Sequence, residues 1–471
     1  MPSRATVPAP APLPPALCRM LSGLSAAAVR SLDPREHRHG GLPGPTAAGL
    51  GALLPELSEA PAGRLDYRVP LIAPMKAGKS TLLNALVCRE LLPSRGPAMT
   101  VLPTGVVPVD HRTLPAPVLT LPPVTAAGLA TLAALLEDPG RHSALRAAVE
   151  RHPQLATVAR APAAAAAPDR PTRCVGTGRV REALARLNDL LRLALLALPE
   201  DVAPERVLRL RPPEVTVPVP WLASPPEGGR LVLVDTPGPD EDLLPGVLNS
   251  FVAEEVRRAH EVLVIRDATR RGSTAESQVE RLLAQDTRKG GVPSFTVLNR
   301  ADLVRMDEPA PEPVDRIAAG AGQPRTGGRT AARQGLAAAA VLWSEADADT
   351  SGAVEELLRG AFPLDWEDRT GAPASVTRAL AERTWERSGV PSVVSRFVRD
   401  RAGAPGAWAL AHLLGRLAPV TDAPSPGTAA GPPPPAAPRK ALDDLAVLAT
   451  RRQRVARAAR AHFADLEIEW T

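Results

Sequence analysis

Apolar and polar positions alternate along this chain in two recognisable rhythms. Arg68 to Ile72 is a short β-branched and apolar run ending at a glycine-containing loop, the pattern of a buried strand. Thr81 to Leu92 follows with Leu82, Leu83, Leu86 and Val87 on one helical face. Four more short apolar runs, Val215–Trp221, Arg230–Val234, Glu261–Ile265 and Ser294–Leu298, read as strands. Pro225-Pro226-Glu227-Gly228-Gly229 is the turn between the first two. Helical spacing occupies intervening stretches such as Ala253–His260 and Ser277–Leu283. Strands alternating with helices predict an α/β domain with a mostly parallel central sheet flanked by helices. Between about 120 and 200 the pattern is helical and Ala/Leu-rich, interrupted at 160–172, and predicts a large helical insertion.

The flanks differ. Residues 1–15 are Pro/Ala-rich, and helical spacing recurs at Leu17–Leu32 and Ala47–Leu57. Residues 419–440 form a Pro-rich linker, and the last helical stretch, Ala441–Leu466, carries five arginines between Arg451 and Arg460. The chain of 471 residues divides accordingly into 1–60, 61–402 and 403–471.

Composition narrows the function. Aromatics are 3% of the chain, so the core rests on Leu, Val and Ala, and single-strand nucleic-acid binding by base stacking is disfavoured. The net charge of +5 permits an anionic partner without demanding one. Cys18, Cys88 and Cys174 show no metal or disulfide spacing. The sequence shows no signal peptide and no transmembrane segment, and the expected location is cytoplasmic, with peripheral membrane association open. The Arg451–Arg460 stretch reads either as a packed, solvated helix or as a contact for anionic lipid or DNA.

Three motifs carry chemistry. Ala73-Pro74-Met75-Lys76-Ala77-Gly78-Lys79-Ser80 matches a phosphate-binding loop, sitting between a strand and a helix with Thr81 just inside that helix. Its amides suit phosphate oxygens, Lys79 suits the β/γ-phosphates and the Ser80 hydroxyl suits magnesium (Mg²⁺). Leu231-Val232-Leu233-Val234-Asp235-Thr236-Pro237-Gly238 puts an acid at a strand end, for Mg²⁺, and a glycine amide where it can sense a γ-phosphate. Asn299-Arg300-Ala301-Asp302 follows another strand. An Asp carboxylate there can accept two hydrogen bonds from the guanine edge, which adenine does not offer. Arg300 can lie flat over the base. The nucleotide is expected to be GTP, with ATP the weaker option.

The stretch Met75 to Leu86, followed by Glu90-Leu91-Leu92-Pro93-Ser94 and Met99-Thr100-Val101-Leu102-Pro103-Thr104, resembles the bacterial dynamin-like GTPases. The resemblance implies that Thr100, with Thr104 as fallback, is the switch threonine that reaches Mg²⁺ and the attacking water. It extends to Ser388-Gly389-Val390-Pro391, which often opens the last helix of such domains, and so covers about 65–402. Met75 and Lys76 stand where eukaryotic dynamins carry Gln-Ser, so Lys76 either replaces a monovalent cation or is a solvated loop charge. Ser344 is the candidate for the last base-contacting loop. The interval 105–229 must hold the insertion, the N-terminal helices are neck-like, and the stalk is expected to be truncated. The resemblance implies a GTP phosphohydrolase, activated when two GTPase faces meet in a homodimer. The alternative is a slow or non-hydrolysing GTP-dependent switch that docks a protein partner.

Overall fold

A computed structural model describes residues 65–93, 100–166, 173–199, 202–226, 229–238, 245–270, 274–284, 292–304, 327–344 and 349–403, with a few positions as far as 412. The expected N-terminal helices, the 419–440 linker and the Arg-rich stretch, and with them the expectation of a truncated stalk, lie outside the described residues. Residues 68–225 and 231–403 belong to one compact unit. In the second unit, Arg230 donates two hydrogen bonds to the Asp66 carboxylate at 2.9 and 2.6 Å, and the Tyr67 ring lies 6.3 Å from that of Trp408.

Nine strands form one sheet: β1 (Leu65–Ile72), β2 (Thr104–Asp110), β3 (Val118–Thr120), β4 (Arg173–Val175), β5 (Glu214–Val219), β6 (Gly229–Asp235), β7 (Val262–Asp267), β8 (Ser294–Asn299) and β9 (Gly327–Arg329). Their order is β4-β3-β5-β2-β6-β1-β7-β8-β9. Val69, Leu71 and Ile72 of β1 and Val262, Leu263 and Ile265 of β7 are fully buried, as expected where helices cover both faces of a sheet. On this side β1, β7, β8 and β9 pair in parallel.

The other side adds antiparallel pairings to the parallel ladders that the sequence led us to expect. β2 runs parallel to β5 but antiparallel to β6, and β3 is antiparallel to both β4 and β5. The sheet is mixed. β2 contains Gly105 and Pro108, which mask a strand pattern. The proline is tolerated because the β2–β6 ladder spans only Thr104 to Val106 and has ended before it.

Helix α1 (Lys79–Leu86) is shorter than the expected Thr81–Leu92. The cause is Asn84, fully buried, whose Oδ1 accepts from the amides of Leu91 and Leu92 at 3.0 and 2.9 Å. Its Nδ2 donates to the Leu92 carbonyl at 2.8 Å. The chain folds back over its own helix end, with Cys88 in a left-handed conformation at φ 57°.

The insertion comprises α2 (Pro123–Leu136), α3 (His142–Arg151), α4 (Ala156–Arg160), α5 (Pro162–Ala166), α6 (Thr177–Ala197) and α7 (Ala203–Leu208). Pro139, Pro153 and Pro162 each open a new helical turn, which breaks the run into short pieces. Leu132, Leu136, Ala148, Leu155, Leu190 and Leu191 form its apolar centre.

Beyond the insertion lie α8 (Pro245–Arg258) and α9 (Thr274–Ala284), then α10 (Ala332–Trp343), α11 (Ser351–Ala361), α12 (Ala374–Arg387) and α13 (Val390–Val393). The rings of Trp343 and Trp385 meet edge-on at 5.0 Å, and Phe295 and Phe397 lie 4.7 Å apart.

Candidate functional site

β1 delivers the chain to the tight loop between Ala73 and Gly78, closed by the Ala77 amide donating to the Pro74 carbonyl at 3.2 Å. Met75 is half-buried, Ala77 buried and Lys76 exposed, the last in a left-handed conformation at φ 64°. Gly78 caps α1 at φ 89°. The first turn of α1 holds no acidic residue, so nothing there opposes the partial positive charge of its free amides. Thr81 lies half-buried in that turn.

Four motif residues meet at one carboxylate. Asp235, at the end of β6, is 1% exposed. Lys79 Nζ donates to its Oδ1 at 2.6 Å, and Ser80 Oγ lies 3.3 and 3.2 Å from its two oxygens. Thr100 Oγ1 donates to Oδ2 at 2.7 Å. Thr104 is fully buried at the start of β2, in register with Asp235, and its hydroxyl faces the Leu102 carbonyl at 3.4 Å instead. Geometry thus groups Thr100, not Thr104, with the Asp235 oxygens. Thr236 donates to the Leu71 carbonyl at 2.6 Å and ties the two strand ends together; Gly238 follows, half-buried.

Two hydroxyls and a carboxylate are hard oxygen donors, the type that Mg²⁺ accepts alongside water and phosphate. The grouping of Ser80, Thr100 and Asp235 therefore fits that ion. Among the described residues no cluster of three His, Cys, Asp or Glu side chains could hold a metal by itself.

The third motif is built into the loop beneath. Asn299 is 2% exposed; its Nδ2 donates to the Ala77 carbonyl at 2.9 Å. Its Oδ1 accepts from Thr330 Oγ1 and from the Ala332 amide, both at 3.1 Å. Arg300, in a left-handed conformation at φ 61°, donates to Asp267 Oδ2 at 3.0 Å. Its guanidinium is thereby tethered to the end of β7, a contact the expectation that it can lie flat over the base did not include. Asp302 is exposed one turn beyond.

Ser344 is not brought to this cluster. It follows α10, a helix of 12 residues and about 18 Å, whose opposite end is the one that touches Asn299. The segment that does approach is Thr330–Ala332 after β9. The motif Ser388-Gly389-Val390-Pro391 closes over it: the Ala331 amide donates to the Ser388 carbonyl at 2.8 Å. A Cβ on Gly389 (φ 71°) would stand 1.9 Å from the Arg329 carbonyl oxygen, so only glycine fits. Asp267 and Thr330 were not singled out from sequence: Asp267 is a single polar residue ending an apolar strand, and Thr330 follows a three-residue strand of Gly and Arg.

The fold and the grouped residues together are consistent with a P-loop GTPase-like architecture: a central mixed sheet, flanking helices and a large helical insertion. No protein-family model matches the chain. Over 256 residues it is 31% identical to the clamp-binding protein CrfC of Escherichia coli, both in strain K12 and in a second E. coli sequence. That match covers 51% of this chain and 32% of CrfC, so the chain matches about a third of its relative's length. Two solved chains from work on an oligomerised bacterial dynamin pair, described as providing a mechanism for long-range sensing and tethering of membranes, align over 94% of this chain. The alignments cover 50% and 51% of those solved chains, at 12% identity with TM-scores of 0.33 and 0.34. Among the described residues no helix is long and apolar enough to cross a membrane.

Proposed function

We propose that this chain is a dynamin-like GTPase that binds GTP with Mg²⁺ and hydrolyses it. The observation that carries the reading is the convergence of Lys79, Ser80 and Thr100 on the buried Asp235 carboxylate. Ser80, Thr100 and Asp235 would hold Mg²⁺, which when bound neutralises charge on the β- and γ-phosphate oxygens. Lys79 exchanges its bond to Asp235 for one to a phosphate oxygen. The amides of Met75 to Thr81 cradle the phosphates, and the Gly238 amide senses the γ-phosphate. Asn299 braces the loop from below, Arg300 is held by Asp267 at the edge of the base site, and Asp302 selects guanine. Thr100 holds the attacking water, and Lys76 supplies positive charge where relatives of this type use a monovalent cation. Two copies meeting through their GTPase faces accelerate turnover, and the protein works in the cytoplasm.

The relationship to a protein named for binding a clamp favours a second reading, a slow GTP-dependent switch that docks a protein partner. One experiment separates the two: GTP and ATP are titrated against wild type and Lys79→Ala, with hydrolysis followed across protein concentrations. Turnover per molecule that rises with concentration supports the enzyme. Tight GTP binding with flat, near-zero turnover supports the switch, and equal affinity for ATP and GTP overturns both.

A further inference from the structure

The longest helix of the insertion contains a misfit. Along α6, Leu190, Leu191, Leu193 and Ala194 are fully buried, yet Asn188 among them is only 4% exposed. A buried amide in apolar surroundings persists only when its hydrogen bonds are met. Its Nδ2 donates to the Leu184 carbonyl one turn back at 2.9 Å. Its Oδ1 reaches out of the helix and accepts from the Val101 amide at 2.7 Å and, more weakly, from that of Leu102 at 3.4 Å.

Those two amides directly follow Thr100. Val101 and Leu102 are fully buried and belong to the same apolar cluster as Leu190 and Leu191. Two residues beyond Leu102, Thr104 starts β2 in register with Asp235. After the Asp235–Gly238 motif, α8 contributes Val247, Leu248 and Phe251 to that cluster as well. The insertion therefore grips the chain on the outgoing side of both Thr100 and Gly238. A hydroxyl that must meet a metal or a water tolerates displacements of only about 0.5 Å.

We infer that Asn188 is a positioning residue: it sets where the Thr100 hydroxyl stands, and through it the helical insertion governs turnover at the nucleotide site. This rests on the GTPase reading above. Deleting the Asn188 oxygen leaves the Val101 N–H buried without an acceptor, and the segment relieves that by moving its backbone toward water. Thr100 moves with it, while the amides of the phosphate loop, Lys79 and Asn299 stay in place. The nucleotide still binds through those groups; the catalytic step slows.

The test uses the full chain with Asn188→Leu, which keeps the volume and removes the acceptor. Leu145→Ala on α3 serves as a control that weakens the insertion core away from this hydrogen bond. Asn188→Leu is expected to lower kcat for GTP at least tenfold while leaving GDP affinity within twofold of wild type. Hydrogen exchange at the Val101 and Leu102 amides should speed up in the nucleotide-free protein. Leu145→Ala should lower the melting temperature with kcat within twofold of wild type. The inference is overturned if Asn188→Leu keeps kcat within twofold, if exchange at 101–102 is unchanged, or if Leu145→Ala loses as much kcat. A wild type that turns over no GTP refutes the GTPase reading separately, and the exchange measurement still judges the anchor.

Discussion

The side-chain nitrogen of Asn299 lies 2.3 Å from the point where a Cβ on Gly78 would stand. The third motif thus presses directly on the first, and Gly78 is required by φ 89° as well as by space. Gly78→Ala is expected to cost about 1–3 kcal/mol from the left-handed backbone alone, with more from displaced Asn299. Because the residues touch, Gly78→Ala combined with Asn299→Ala should be less destabilised than the sum of the single changes. Thermal denaturation of the four proteins measures this; strict additivity would refute it.

Removing Lys79 leaves the Asp235 carboxylate buried beside two hydroxyls and no cation. Breaking a buried pair in this way typically costs about 3–5 kcal/mol. Asp235→Asn should cost less, since the Lys79 side chain, 11% exposed against 1% for Asp235, retains some access to water. Urea denaturation of both variants should rank Lys79→Ala as the less stable, and neither should hydrolyse GTP.

Asp302 is exposed and, among the described residues, its side chain makes no hydrogen bond or ion pair. Asp302→Ala should lower GTP affinity by about 10- to 100-fold, the loss of hydrogen bonds to a charged acceptor. ATP affinity and melting temperature should hold. An equal fall for both nucleotides would mean that Asp302 does not read the base.

The exposed ammonium of Lys76 predicts insensitivity to the monovalent cation. Turnover in K⁺ and in Na⁺ should agree within about twofold, and Lys76→Ala should acquire a K⁺ requirement. Strong K⁺ dependence in the wild type would return Lys76 to the status of a solvated loop charge.

Burial, reinforced by the charges of Arg192 and Arg151, holds the His152 imidazole below its ordinary pKa of 6.5. The folded protein therefore prefers the neutral ring, and below pH 6.5 the unfolded chain binds the proton first. Stability from this source is present above that pH and declines as acidity increases. His152→Asn should flatten the fall in melting temperature between about pH 7 and 5.

The phosphate loop, the Asp235 strand and the Asn299 strand were legible because each places a rare residue order after an apolar run. What stayed hidden was set by tertiary contact. Asn84 ends α1 by bonding residues seven and eight positions ahead, which no periodicity anticipates. β2 hid behind Gly105 and Pro108, and with it the antiparallel pairing of β2 with β6. The Thr330 contact hid behind β9, three residues long, whereas Ser344 follows the far end of α10.

The edge-on pair of Trp343 and Trp385 gives this protein a built-in optical gauge. Trp343 ends the helix whose start bonds Asn299, and Trp385 lies three residues before Ser388, which clasps Ala331. With six tryptophans in the whole chain, a Trp385→Phe difference spectrum isolates this pair without any attached dye. Its near-ultraviolet ellipticity would register rearrangement at the Asn299 end, in real time and on the native molecule.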